Sequence, residues 1–286
     1  MSGKHPLVQA VEKAWNSGIV VVCSAGNWGK FGNFTITSPG NARDALTVGS
    51  LTDRNSTNRR DDYRSTYSSM GPTLGTVTLK PDLVAPGNRI VSLRSAGSAL
   101  DAEYPDRRVS APGSRDIDYF EMSGSSMAVP MAAGAAALML ESEPGLNPAT
   151  VKARLMLAAD KSIDPSPYAR GAGALDLPGA LEAVVVVDTA PSPRLFRGER
   201  EGDIDVEDVA GLWGNDLFSD TALWSDTALW SDTALWSDTA LWSDTALWSD
   251  TALWSDTALW SDTALWSDTA LWSDTALWSD SFPEPD

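Results

Sequence analysis

Residues 121–140, E-M-S-G-S-S-M-A-V-P-M-A-A-G-A-A-A-L-M-L, join a polar cluster to a run of small apolar side chains. Gly124 permits backbone conformations closed to other residues, Ser126 can stand at a helix N-terminus, and Pro130 is tolerated in the first turn. About three turns of helix without a polar face follow, and we predict that this helix is buried on all sides. Such a helix needs a packed core, which a chain of 286 residues with 43% apolar composition can form.

Ser126 is placed where a nucleophile would be favoured. A serine at a helix N-terminus faces unpaired backbone N–H groups and the positive end of the helix dipole, which stabilise negative charge near its oxygen. The spacing alone also suits a plain N-cap serine on a core helix. The elbow motif G-x-S-x-G is a poorer match because position 128 is Ala, and residues 127–140 are too few to span a membrane.

The N-terminal part of the chain has an α/β pattern. Residues 6–17 place apolar side chains on one helical face, and Gly18 follows as a stop signal. The run I-V-V-V-C at 19–23 is typical of a strand buried on both faces of a parallel sheet, and residues 45–50 predict a second such strand. We therefore predict an α/β fold with a mostly parallel sheet.

Other segments give more local expectations. The polar segment 52–72 predicts a surface loop with room for one short strand, and 80–87 predicts a proline-bracketed pair of turns around an apolar run. Asn147 predicts a helix cap before Pro148. Residues 171–187 predict a turn and then a final helix or strand.

The C-terminal third of the chain contains a repeat. Residues 189–218 predict a linker, 219–280 hold ten copies of S-D-T-A-L-W, and 281–286 form an acidic tail. The even period suits a β-solenoid or an adhesive arm, and the same composition suits a low-complexity segment without fixed structure. Thirteen acidic residues and no Lys or Arg lie in 219–286, so most of the net charge of −18 belongs there, and nothing favours a nucleic-acid partner.

The motif G-S-S-M-A-V-P resembles the nucleophile motif G-T-S-M-A-x-P of the subtilisin-like serine proteases, or subtilases. Further segments in the same order resemble that family over about residues 6–187, which predicts a partial subtilase peptidase domain at 1–188 with a three-layer fold. These segments are 17–27 (S-G-I-V-V-V-C-S-A-G-N), 38–50, 68–72 (S-S-M-G-P), 80–87 (K-P-D-L-V-A-P-G) and 170–181.

The resemblance implies a serine endopeptidase with a protein or peptide substrate. It assigns Ser126 as the nucleophile, with its own N–H and the Asn27 side chain as oxyanion donors, and it places Gly26 in the substrate pocket. It also implies a cis bond before Pro39. For Asn27, a turn residue after a strand is the simpler interpretation when the other motifs are set aside.

The chain departs from the family pattern at the catalytic base. The family places an Asp and a His before the A-A-G-N strand, and neither motif is present; His5 is the only histidine and is predicted to be a solvated loop residue. Position 131, usually a structural His in relatives, is Met. We expect an inactive chain on its own, an exposed central strand edge, and an N-terminal portion of the same protease as a possible partner.

The remaining expectations concern class and location. Cys23, the only cysteine, is predicted to be a buried inert thiol, and no cofactor or metal is expected. The N-terminus shows no signal peptide and no apolar run is long enough to span a bilayer, while the family implies an extracellular or cell-surface location. The alternative function is a non-catalytic pseudoprotease or adhesion protein that binds through the Trp-rich repeats.

Overall fold

The computed structural model describes residues 5–56, 58–163, 166–197 and 204–207. The predicted repeat at 219–280 and the acidic tail at 281–286 lie outside these residues. The described residues up to 194 belong to one compact unit, and 195–197 with 204–207 belong to a second one, in which two short strands pair antiparallel.

The helices and strands alternate along the first unit. The helices are α1 (Pro6–Asn16), α2 (Ala99–Glu103), α3 (Ser125–Ser142), α4 (Pro148–Ala158), α5 (Pro167–Arg170) and α6 (Leu177–Glu182). The strands are β1 (Val22–Ser24), β2 (Leu46–Thr52), β3 (Tyr63–Arg64), β4 (Leu83–Pro86), β5 (Ile90–Leu93), β6 (Arg108–Val109) and β7 (Tyr119–Met122), with β8 (Leu195–Arg197) and β9 (Ile204–Val206) in the second unit.

The central sheet is mostly parallel, as predicted. β2 lies between β1 and β4 and is parallel to both, with Val48 paired to Ser24 on one side and to Leu83 on the other. The short β3 pairs antiparallel with the end of β2. A separate antiparallel sheet has the order β5–β7–β6.

Helices cover both faces of the central sheet, which gives an α/β architecture of three layers. Val8 of α1 packs with Cys23 on one face. On the other face α3 packs against the sheet and forms the main core. Its buried members are Leu46, Val48, Leu83, Ala85, Ala128, Ala132, Ala135, Ala136, Met139, Val151, Leu155 and Ala180.

Several local expectations are confirmed. The structure has the predicted helix at α1 and the predicted buried strand at β2. The run at 19–23 forms only the short β1, in which Cys23 alone is buried, and Ile19 is 57% exposed, so the prediction of a strand buried on both faces there is wrong. The Asn147 side chain accepts a hydrogen bond from the Thr150 N–H at 2.7 Å and caps α4. Cys23 is buried, and burial raises the pKa of its thiol, as expected for an inert residue. The Ser38–Pro39 bond is cis.

The expectation that α3 is buried on all sides is wrong. Ala128, Ala132 and Met139 face the sheet, whereas Met131 is 39% exposed and Leu138 is 48% exposed on the opposite face. Composition showed that both faces are apolar, but the described residues supply packing partners for only one of them. We refer to Met131, Ala133, Gly134, Ala137 and Leu138 as the exposed α3 face.

The segment 52–72 is a surface loop only in its first half. The predicted short strand is present as β3, but Ser65, Tyr67 and Ser68 are fully buried. Their hydroxyl groups are satisfied internally: Ser50 Oγ lies 2.9 Å from Ser65 Oγ and 3.0 Å from the Tyr67 hydroxyl. A polar sequence can therefore be buried when its hydroxyl groups pair with one another, which composition does not reveal.

The segment 80–87 is also more ordered than the predicted pair of turns. Its apolar run forms β4, and both of its charged residues, Lys80 and Asp82, are fully buried. Asp82 Oδ2 accepts from Lys80 Nζ and from the Thr47 N–H, each at 2.7 Å, which joins the start of β4 to β2. Lys152 Nζ of α4 lies 3.3 Å from Asp82 Oδ1.

Burial and neighbouring charges shift the pKa values of Asp82 and Lys152. Burial alone would raise the pKa of Asp82, but Lys152 and Lys80 outweigh it and hold that pKa below its usual range. For Lys152, burial lowers the pKa to about 7; Lys80 adds to this effect, while Asp82 and Asp44 oppose it. Lys152 is therefore partly neutral in the folded protein near pH 7, whereas it is fully protonated in the unfolded chain.

This difference predicts a pH dependence of stability. Because the folded pKa lies below the unfolded value, the unfolded chain binds more protons between pH 7 and 10, so the free energy of unfolding should rise with pH, by about 2 kcal/mol from pH 7 to 9. Urea unfolding at both pH values measures it. Lys152→Met should remove the rise and the exposed control Lys13→Met should keep it; an unchanged rise in Lys152→Met would contradict the assignment.

Candidate functional site

The site lies at the carboxyl ends of the parallel strands, where α/β folds commonly place ligands. Two strand ends meet the start of α3 there. After β1 the chain continues through Gly26 and Asn27, and after β4 it reaches Gly87, whose carbonyl accepts the N–H of Gly124 at 2.9 Å. Gly124 has φ 153° and is the N-cap residue of α3.

Ser126 is the second residue of α3. It is exposed, while its neighbour Ser125 is fully buried. Within the described part of the chain, neither the hydroxyl nor the backbone N–H of Ser126 forms a hydrogen bond. The first-turn N–H of Ser126 is thus available to an acceptor beside its own hydroxyl.

Asn27 is held in place by Ser125. Asn27 Oδ1 accepts from the Ser125 N–H at 2.9 Å and from the Ser125 hydroxyl at 3.0 Å. Because a backbone N–H can only donate, the atom facing it must be the amide oxygen, and the Nδ2 group is left as a donor. The Ser125 N–H donates to Asn27 Oδ1 and the Met127 N–H donates to the Gly124 carbonyl, so among the described residues the Ser126 N–H and Asn27 Nδ2 are the donors that stay available at the start of α3.

Gly26 completes the connection between the two segments. Its N–H donates to Ser125 Oγ at 3.1 Å, and its φ is 108°. A Cβ atom at this position would lie 2.7 Å from Thr37 Oγ1 and 2.9 Å from Ser69 Oγ, so only glycine fits without movement of its neighbours. The loop is also fixed by the Ser69 N–H, which donates to the Gly26 carbonyl at 3.0 Å.

The structure thus brings Ser126, Asn27 and Gly26 together through Ser125, a residue that our sequence analysis did not single out. The signal was present, since Ser125 occupies the Thr position of the G-T-S-M-A motif. What the motif did not reveal is the geometry, in which one buried hydroxyl accepts from Gly26 and donates to Asn27.

His5 is placed elsewhere. Its ring accepts a hydrogen bond from the Leu7 N–H at 3.3 Å, as the N-cap of α1, and lies 3.1 Å from Ser38 Oγ. Among the described residues, no imidazole or carboxylate is hydrogen bonded to Ser126. The same residues include no cluster of three or more His, Cys, Asp or Glu side chains suited to a metal ion, and none of their helices has both the length and the apolar character needed to cross a bilayer.

Comparison with known proteins decides the family. The model of the subtilase family of peptidases matches residues 1–176. This chain belongs to the subtilase family. The assignment agrees with the resemblance of the sequence motifs and with the α/β architecture of the first unit.

Two curated relatives illustrate the match. Over 173 residues the chain is 46% identical to the serine protease AprX of Bacillus subtilis, covering 60% of this chain and 37% of AprX. It is 34% identical to subtilisin DY of Bacillus licheniformis over 171 residues, covering 59% of this chain and 50% of that protein. The chain therefore spans half or less of the length of these relatives.

Among solved structures, fervidolysin from Fervidobacterium pennivorans, described as a keratinolytic enzyme related to subtilisin, matches with a TM-score of 0.47 and 22% identity. The match covers 62% of this chain and 24% of fervidolysin.

The two adjacent serines should differ in their effect on stability. Ser125→Ala leaves the buried Gly26 N–H without an acceptor and removes one donor from Asn27, so we expect a loss of about 1–3 kcal/mol in the free energy of unfolding. Ser126→Ala removes an exposed hydroxyl and should change it by less than about 0.5 kcal/mol. Chemical denaturation of both variants measures this difference, and equal losses would show that Ser125 does not anchor the site.

Proposed function

We propose that this chain carries the nucleophile and the oxyanion donors of a subtilisin-like serine endopeptidase. The observation that carries the proposal is the hydrogen-bonded unit of Ser125 and Asn27 beside the exposed Ser126, in a chain of the subtilase family. Ser126 is the nucleophile, and the Ser126 N–H and Asn27 Nδ2 are the donors that stabilise the oxyanion.

In the proposed reaction, Ser126 Oγ attacks the carbonyl carbon of a peptide bond and gives its proton to a general base, which then acts as the general acid. The carbonyl oxygen becomes negatively charged and accepts hydrogen bonds from Asn27 Nδ2 and the Ser126 N–H. Collapse of the intermediate breaks the C–N bond, the amine leaves with a proton from the general acid, and an ester remains on Ser126 until water hydrolyses it. Gly26, which has no side chain, lines the space for the substrate residue before the cleaved bond.

The fixed orientation of the Asn27 side chain matters for stabilisation of the oxyanion. An oxyanion donor is effective when it is already oriented before charge develops, since no reorganisation is then needed during the reaction. Ser125 supplies that orientation through two hydrogen bonds to Asn27 Oδ1. In subtilisin itself, loss of an oxyanion-hole asparagine costs about 10²–10³ in turnover.

We propose that an N-terminal portion of the same protease supplies the missing base and its orienting Asp. His5 is the only histidine in the sequence, and its ring is engaged at the start of α1. The exposed α3 face is an apolar surface of the kind that marks an interaction site. β1 pairs only with β2 among the described strands, so its other edge is available for an added strand.

The partner proposal also sets the expected activity and location. Without a base to accept its proton, the Ser126 hydroxyl attacks slowly, so this chain alone should be nearly inactive. Protein or peptide substrates and an extracellular or cell-surface location follow from the family and are part of the proposal.

A fluorophosphonate probe tests the nucleophile and the partner together. The chain is mixed with the part of AprX that lies outside its matched segment, because AprX is 46% identical over that match. We expect labelling in the complex to exceed that of the chain alone by at least about 10³-fold, since a base then activates Ser126. Labelling is followed by gel fluorescence, and complex formation by analytical ultracentrifugation.

Matched variants separate the possible outcomes. Ser126→Ala should abolish labelling, whereas Ser125→Thr, which keeps a hydroxyl at position 125, should retain it. Leu138→Asp should weaken the complex, while Leu93→Asp, at an exposed position on β5, should leave it unchanged. If the complex with Ser126→Ala forms and the probe labels it as fast as the complex with the unchanged chain, Ser126 is not the nucleophile.

A further inference from the structure

A buried polar cluster joins β4, α4 and the chain after α6, and the proposed reaction does not use it. Its four members, each fully buried, are Lys80, Asp82, Lys152 and Ser192. Each Asp82 oxygen has two donors close to it. Oδ2 accepts from Lys80 Nζ and the Thr47 N–H, while Oδ1 accepts from the Ser192 hydroxyl and lies near Lys152 Nζ.

The Ser192 hydroxyl connects the lysine and the carboxylate. Lys152 Nζ donates to Ser192 Oγ at 2.9 Å, and it also lies 3.2 Å from each of the carbonyl oxygens of residues 43–45. Removal of the Ser192 hydroxyl would take a donor from buried Asp82 and an acceptor from buried Lys152. Buried ionic groups that lose a partner are costly because water cannot replace it.

Ser192 belongs to an extended segment, residues 185–194, that we call the C-terminal strap. Its backbone is bonded to the rest of the unit at several points. The Ser192 N–H donates to the Arg43 carbonyl at 3.0 Å, Arg43 Nε donates to the Ser192 carbonyl at 2.9 Å, and the Leu79 N–H donates to the Pro193 carbonyl at 2.8 Å. Closer to α6, Arg154 Nε donates to the Val185 carbonyl at 2.9 Å.

The strap also has an apolar side. Ala190 is buried against Ala149 and Ala153 of α4, with Val185 and Val187 packed beside them. The strap follows the end of the family match at residue 176, and most of it falls in the segment 189–218 that the sequence predicts as a linker. It is therefore a feature of this chain that the family motifs do not account for.

The cluster is linked to the candidate site through β4. Asp82 directly precedes β4, and the Thr47–Asp82 bond fixes β4 beside β2. At the other end of β4, the Gly87 carbonyl accepts the Gly124 N–H at the start of α3. The strap is thus connected through Asp82 to β4, the strand that positions the turn before Ser126.

A second nucleophile at Ser192 is a poor explanation of this geometry. A serine beside a lysine of lowered pKa resembles a catalytic pair, but both side chains are fully buried and the Ser192 hydroxyl is directed to Asp82. No substrate could approach without displacement of the strap. The arrangement is that of an internal anchor.

We propose that the C-terminal strap is a latch, closed by Ser192 in the buried Lys80–Asp82–Lys152 cluster, whose opening loosens β4 and the turn that carries Ser126. Undocking of the strap removes the Ser192 hydroxyl from both Asp82 and Lys152. The cluster then rearranges, and the Thr47–Asp82 bond between β2 and β4 weakens with it. This inference concerns the folded unit itself and does not depend on the proposed function.

Amide hydrogen exchange of the full chain tests the latch. Three N–H groups report on it. The Leu79 N–H reports on docking of the strap, the Thr47 N–H on the buried cluster, and the Gly124 N–H on the turn before Ser126. Ser192→Ala should speed exchange at all three by about tenfold or more, because a buried pair of hydrogen bonds is lost. The control Ser17→Ala removes an exposed hydrogen bond to the Lys13 carbonyl and should change none of them.

The outcomes decide between a latch and a passive tail. Faster exchange at Leu79 with unchanged exchange at Gly124 would overturn the coupling, and no change at any of the three would overturn the role of Ser192. If Ser192→Ala does not fold, the unchanged chain is examined in increasing urea. The latch then requires Leu79 and Gly124 to share one opening reaction, with opening constants that agree within about twofold, and separate openings would overturn it.

Discussion

The pair of hydrogen bonds from Ser125 to Asn27 Oδ1 is the interaction on which the candidate site depends. It joins the loop after β1 to the first turn of α3, two segments almost one hundred residues apart in sequence. The bonds orient the Asn27 amide, and the Gly26 N–H adds a third connection through the Ser125 hydroxyl. The position of Ser126 relative to the Asn27 amide is therefore set by a buried neighbour and not by Ser126 itself.

The sequence predicted the strands and helices around the site better than the hydrogen bonds that join them. The β-branched run before Asn27 and the apolar helix after Ser126 indicated a parallel sheet covered by helices, because hydrophobic periodicity is a local signal. Burial of Tyr67, Lys80 and Asp82 was missed because it depends on partners that are distant in sequence. A polar residue is buried when its hydrogen bonds are satisfied, and no local pattern shows where the partners lie.

The exposed α3 face illustrates the opposite error. Its apolar composition led to the prediction of a helix buried on all sides, but composition does not show whether the rest of the chain covers both faces. Met131 and Leu138 remain exposed because the described residues pack on one side of α3 only. The same reasoning links the fold to the proposed partner, since the uncovered helix face and the β1 edge belong to the unit that presents Ser126.

The central claim is that Ser126 forms the covalent intermediate, and acid trapping of that intermediate tests it most directly. The chain in complex with the proposed N-terminal partner is mixed with a peptide p-nitrophenyl ester, quenched with acid and digested for peptide mass spectrometry. The account predicts an acyl group on the peptide that contains Ser126, on the Ser126 oxygen. Turnover of the ester with the acyl group on another residue, or with no acyl-enzyme while Ser126→Ala remains equally active, would contradict it.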